Sequence, residues 1–166
     1  KVKLVVSDAA GNQSIVQLNV KLNPAKFRPG ADALPLYDAF FSYKSPNSFH
    51  AQGIDIDIPE GALYDDLYFT YGASEPLPGS YSPLHQISNE KVPVHLYYRL
   101  AIEPAHLPDR LKGKATIAQY EGNNTYTCLG GTWEGNSLVA RTRNFGAFCI
   151  LVDTIKPVIS PMNFSS

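Results

Sequence analysis

The chain is poor in the residues that announce a chemistry. Among its 166 residues are two cysteines, one tryptophan and four histidines. Cys128 and Cys149 stand alone and far apart, so they do not form a paired CxxC zinc motif. Each lies in a strand-like run, which leaves two readings open. They are two small buried hydrophobes, or a disulfide between neighbouring strands with Cα atoms roughly 4.4–6.8 Å apart. His50, His85, His95 and His106 never form H-x-H, a pair that can present neutral imidazoles to a zinc ion. No G-x-S-x-G elbow, phosphate-binding loop or G-x-G-x-x-G turn occurs, which argues against a serine hydrolase or a nucleotide cofactor. Charge of one sign never accumulates, and the formal net charge is −1. A basic footprint for nucleic acid or an anionic bilayer is therefore missing. No apolar run approaches the roughly 18 residues of a membrane span, so membrane insertion is not expected.

What the chain has is β-structure punctuation. Twelve glycines and thirteen prolines are interleaved with runs rich in Val, Ile, Thr and aromatics, ten of them tyrosine. That composition favours an all-β domain with many turns and little helix. A chain of this length buries enough surface to fold without metal or disulfides. The clearest stretch is Ile54-Asp55-Ile56-Asp57-Ile58, whose period of two marks a half-buried strand. Pro59, Glu60 and Gly61 end it, because proline lacks the ladder N–H and glycine supplies the turn. Ala62 and Leu63 are expected to tuck inward, and Leu67, Phe69 and Tyr71 begin a second alternating strand.

Elsewhere, residues 1–6 and 14–22 read as two strands joined through Gly11-Asn12. Asn23 to Pro35 reads as a linker. Further strands are expected over 36–43, 84–87, 94–102, 114–120, 125–129, 137–142 and 145–152. Gly72 to Pro83 reads as a breaker-rich loop, and residues 130–136 as a turn. Glu103 to Leu111 is the one place for a helical turn, kept short by its prolines. About nine short strands with a turn every 8–12 residues describe an antiparallel β-sandwich, or a partly open barrel.

The acidic group Asp55, Asp57, Glu60, Asp65 and Asp66 invites a calcium reading, since calcium takes carboxylate oxygens on loops. Its spacing fits no EF-hand, and the simpler reading is the solvated face of a strand followed by a polar turn. Trp133, Tyr126 and Tyr120 are the candidate glycan contacts, because exposed aromatics stack on sugar rings. The plainer alternative is that they fill core and rim. No catalytic, cofactor-binding or metal-ligating residue is assigned, and no cofactor is expected.

Two resemblances add context. Val6-Ser7-Asp8-Ala9-Ala10-Gly11-Asn12-Gln13-Ser14 resembles the last hairpin of bacterial immunoglobulin-like repeats, and Asp153 to Ile159 resembles the entry to another. The corner Gly53-Ile54-Asp55-Ile56-Asp57-Ile58-Pro59-Glu60-Gly61-Ala62-Leu63, with the ending Arg141 to Phe148, resembles the ZU-type β-sandwich of ankyrins and netrin receptors. Together they imply a terminal immunoglobulin-like hairpin at 1–23, a ZU-like or immunoglobulin-like sandwich at 24–155, and a linker or following repeat at 156–166. Some ZU-type relatives cleave themselves at His-Phe-Ser in the closing strand. Asn144-Phe145-Gly146 stands at that place, which implies that self-cleavage is lost. The combined architecture resembles the C-terminal part of bacterial envelope proteins, some of which carry a lysostaphin-type zinc peptidase. It implies a non-catalytic, extracytoplasmic module, in the periplasm or at the cell surface, that is a monomer and has neighbouring domains as partners. Lys1 as first residue and a start in mid-strand imply an excised or mature fragment. Peptidoglycan or other glycans are the alternative partners.

Overall fold

The computed structural model describes residues 1–19 and 36–154. It divides into two compact units, 1–35 and 36–166. In the first, β1 (Val2–Ser7) pairs antiparallel with β2 (Gln13–Leu18), from Val2 opposite Leu18 to Ser7 opposite Gln13. The connection is organised by Asp8. Its carboxylate accepts the amides of Ala10 and Asn12 at 3.0 and 2.8 Å, while Gly11 takes a φ of +85°. An aspartate that bonds the backbone just ahead of it competes well with strand continuation, so the turn is specified locally. The expected continuation of β2 to residue 22 and the 23–35 linker lie outside the described residues, as does the repeat-like segment from 155 onward.

The second unit is an antiparallel sandwich. One sheet runs in the order β11 (Thr125–Gly130), β10 (Ala115–Gly122), β14 (Gly146–Val152), β8 (Leu84–Ile87), β7 (Tyr71–Ser74). The other runs β12 (Thr132–Glu134), β13 (Ser137–Thr142), β9 (Tyr98–Ile102), β5 (Ile54–Ile58), β4 (Asn47–Ala51). A small pair, β3 (Ala39–Phe41) with β6 (Leu67–Phe69), forms a separate two-stranded sheet whose Phe41 and Phe69 join the same core. The expected all-β sandwich is therefore what the chain forms.

The alternation in β5 works as its sequence indicates. Ile54, Ile56 and Ile58 are buried, while Asp55 and Asp57 sit on the outer, wetter face. The same core takes Leu100 and Ile102 from β9, Leu138 from β13, Ile117 from β10, and Phe148 and Ile150 from β14. At the corner after β5, Gly61 adopts φ +77° and the Ala62 amide donates to the Pro59 carbonyl at 3.2 Å. The Ala62 carbonyl then accepts the His95 amide at 2.7 Å, and Leu63 bridges Val94. Ala62 and Leu63 are both buried. A positive φ at a tight corner is what only glycine holds without strain.

Five local expectations shift. The strand expected over 36–43 narrows to Ala39–Phe41, and the one over 94–102 forms a ladder only from Tyr98 onward. The breaker-rich region begins with a true edge strand, β7, because Pro76 and Pro78 fall beyond it and an edge strand tolerates such neighbours. The expected turn at 130–136 holds the short strand β12. The helical turn lies later than expected, at Asp109–Lys114, as a 3-10 helix capped by Pro108. Proline has no amide to donate, so the helix starts after Pro108 instead of crossing it.

Candidate functional site

The outer face of the second sheet carries the most organised polar side chains. Strand register places Ser48, Asp57, Arg99 and Arg141 in one row across β4, β5, β9 and β13. All four alternate outward because their neighbours in sequence fill the core. Arg99 bridges two carboxylates: one guanidinium nitrogen donates to Asp57 at 3.1 Å and the other to Glu134 at 2.7 Å. These bonds hold the guanidinium firmly protonated, Glu134 contributing most. One row away His50 sits opposite Asp55, with Nδ1 and the carboxylate 2.6 Å apart. That hydrogen bond raises the His50 pKa above its ordinary value.

Arg141 differs from Arg99. It stands directly opposite Arg99 on the same face, is exposed, and makes no ion pair among the described residues. Beside it the Arg143 guanidinium lies 5.0 Å from the centre of the Tyr97 ring. Pro46, Asn47, Ser48, Ile58 and Pro59 complete the walls of an open depression of about 420 Å³ that contains Asp57, Tyr97, Arg99 and Arg141. Neither arginine stands out in the sequence. The only local signal is the outward alternation Tyr97, Arg99 and Arg141, Arg143 beside buried Tyr98 and Thr142.

The candidate glycan contacts do not form one platform. Tyr120 and Tyr126 face each other across β10 and β11, with ring centres 5.3 Å apart. Trp133 lies on β12 in the other sheet, half-buried against the core. Its indole N–H donates to the Lys112 carbonyl at 3.0 Å, and the Lys112 ammonium sits 5.7 Å from its ring centre.

The acidic group is spread over separate duties. Asp55 holds His50, Asp57 holds Arg99, the Asp65 carboxylate accepts the Asp66 amide, and Asp66 accepts the Tyr43 amide at 3.2 Å. Among the described residues no three His, Cys, Asp or Glu side chains converge as a metal site would need. No helix among them is long and apolar enough to cross a membrane.

Cys128 and Cys149 are both free, the first exposed and the second buried. Register gives the reason: both stand opposite Ala118, on either side of β10. Two strand spacings of about 4.8 Å put their backbones near 10 Å apart, beyond the roughly 7 Å a disulfide can span. Burial as a small hydrophobe thus describes Cys149 and not Cys128, which occupies an edge strand. Burial pushes the Cys149 thiol pKa up.

His85 is the one histidine fully inside. It lies on β8 with no exposed surface, its Nδ1 2.8 Å from the Tyr71 hydroxyl and its Nε2 without a hydrogen-bond partner. Desolvation alone pulls its pKa down to about 4, so it is neutral at ordinary pH. His95 instead meets the Tyr64 hydroxyl at 3.0 Å on the surface.

At the closing strand, Phe145 is buried against Tyr98 and Phe69. The Tyr98 hydroxyl donates to the Asn144 carbonyl at 2.7 Å, and the Gln119 amide reaches the Phe145 carbonyl at 3.4 Å. Gly146 holds φ +138°, and a Cβ there would lie 3.1 Å from that same Gln119 nitrogen. The Phe145–Gly146 peptide is thus held tightly, but the position after Phe145 carries no hydroxyl.

The fold and the Ile-Pro-x-Gly-Ala-Leu corner define a ZU-type β-sandwich. The family model for the Zu5-like domain matches residues 38–153, and the chain belongs to that family. No curated protein matches the chain. Membership of this family suggests a non-enzymatic module of a larger protein.

Proposed function

We propose that this domain is a non-catalytic structural or interaction module of a larger extracytoplasmic protein of the bacterial cell envelope. In this reading it orients neighbouring domains, and the parent protein includes a peptidoglycan peptidase for which it is the accessory region. The observation that carries the reading is how the ionisable side chains are used. Asp55 engages His50, Asp57 and Glu134 engage Arg99, and Asp109 engages Lys112. Groups committed to one another, three of these pairs on strands and one within the 3-10 helix, make a recognition surface, whereas proton transfer needs a group poised toward a substrate. The Asp8-centred hairpin supports reading residues 1–23 as the end of an immunoglobulin-like neighbour. Incubating the purified chain with isolated peptidoglycan and with unfolded protein, followed by mass spectrometry, tests the proposal. Unchanged substrates are expected, and release of soluble fragments by the chain alone overturns it.

A carbohydrate-binding module is the second reading, favoured by the half-exposed Tyr120–Tyr126 pair. Replacing both tyrosines by alanine should abolish saturable binding of cell-wall glycans. Binding that survives the double substitution, or is absent from the parent chain across a broad panel, removes this reading.

A further inference from the structure

We propose that the depression beside Arg141 is a binding site for the carboxylate of an acidic peptide segment, an inference that rests on the domain being an interaction module. The two arginines of the row differ in a way that folding does not require. Arg99 is saturated by Asp57 and Glu134. Arg141, its neighbour across the ladder, is exposed, lines the depression and forms no salt bridge with a carboxylate among the described residues. The sheet gives Arg141 no carboxylate of its own, and a carboxylate from outside supplies the missing charge-assisted hydrogen bonds.

The one unpaired guanidinium sets the ligand. Arg99 is already held by Asp57 and Glu134, so Arg141 offers a single local cation and no broad positive patch. One guanidinium matches a singly charged carboxylate, whereas a phosphate dianion would bring a second negative charge close to Asp57. The planar guanidinium fork of Arg141 fits a carboxylate through two parallel N–H donors. The walls favour a peptide over a sugar acid. Pro46 and Pro59 offer short apolar contacts, while one face of the Tyr97 ring, the surface on which a pyranose would stack, carries Arg143. Ser48 and Asn47 begin the edge strand β4, so an extended segment can lie along this side of the sheet without displacing structure.

Heteronuclear NMR on the whole chain tests the proposal, with short peptides blocked at both ends that carry glutamate or, as control, glutamine. Parallel titrations use a neutral peptide with a free C-terminus, glucuronate and inorganic phosphate. Saturable shifts around Ser48, Tyr97, Arg99 and Arg141 are expected with the glutamate peptide and not with the glutamine one. Shifts with the free C-terminus as well would assign the site to any peptide carboxylate, within the proposal. Arg141→Gln should weaken the glutamate peptide about tenfold or more. The variant's thermal midpoint should stay the same, because Arg141 makes no ion pair among the described residues. Arg141→Lys should restore part of the affinity, and added salt should lower it. Equal response to both blocked peptides, or unchanged affinity in Arg141→Gln, overturns the proposal. So does tighter binding of glucuronate or phosphate. Peptide hydrolysis in the same spectra would instead overturn the non-catalytic reading, while absent shifts over intact peptides sink only the carboxylate site.

Discussion

Acid should loosen this domain through one residue, His85. Its ordinary pKa of 6.5 falls to about 4 in the folded chain, with burial as the cause. In the folded protein the imidazole therefore stays neutral over a range in which the unfolded chain binds a proton. The unfolded state holds more protons between those two values, so stability is complete above pH 6.5 and declines as pH falls toward 4. The full difference corresponds to about 3.4 kcal/mol, at 1.36 kcal/mol per pH unit. About 2 kcal/mol of it should already be lost at about pH 5. Around the ring stand the Tyr71 hydroxyl on β7, Phe148 opposite on β14, and Gly53 close to Cε1. None of these supplies a negative charge that would hold the imidazolium. His50 works in the other direction. Asp55 raises its pKa, so its contribution is present below 6.5 and fades as pH rises through the folded value. It is fully exposed to solvent, and its effect is confined to the surface. The assay is urea unfolding at about pH 7.5 and about pH 5 for the native chain and for His85→Phe, which keeps a ring but cannot titrate. Tyr71 is only half-buried, so water can satisfy its hydroxyl in the variant. The native chain should lose about 2 kcal/mol more than the variant on acidification. Equal pH slopes in the two proteins, or an imidazole titrating near 6.5 in the folded chain, would refute the reasoning.

Three further outcomes follow from the same structure. Ile56→Ala removes a side chain with no exposed surface at the centre of β5 and should cost about 2–5 kcal/mol, read as a lowered urea midpoint. A thiol reagent should modify Cys128 in the native chain and Cys149 only after unfolding, and mild oxidation should not link the two; an intramolecular disulfide under native conditions would contradict their register. The chain should keep its full mass on prolonged incubation, because Gly146 offers no hydroxyl to attack the Phe145 carbonyl; intact-mass spectrometry showing scission there would reverse that expectation.

Much of the fold was legible because its signals are local. The period of two in Ile54 to Ile58 needs only that one face be dry. The Pro59 to Leu63 corner needs a glycine at positive φ, and the Asp8 turn needs a carboxylate beside its own backbone. Strand ends were less legible where pairing decided them: Leu96 and Tyr97 have strand-like sequence, yet ladder pairing begins at Tyr98 because β13 reaches only to Tyr98 and β5 only to Arg99. The candidate site was hardly legible at all. Arg99 and Arg141 are 42 residues apart in number and adjacent in space only because β13 pairs with β9. The same kind of non-local register separates Cys128 from Cys149 by a whole strand and puts Trp133 on the other sheet, whereas Tyr120 meets Tyr126 within one local hairpin.

By itself, then, the sequence determined the class of fold, the inward and outward faces of its strongest strands and the chemistry of its turns, since each depends on residues a few positions apart. Only the tertiary structure decided which outward residues share a row, which histidine loses its water and which arginine is left facing solvent. Those depend on strand order, and strand order is set by packing between segments that no short-range pattern connects.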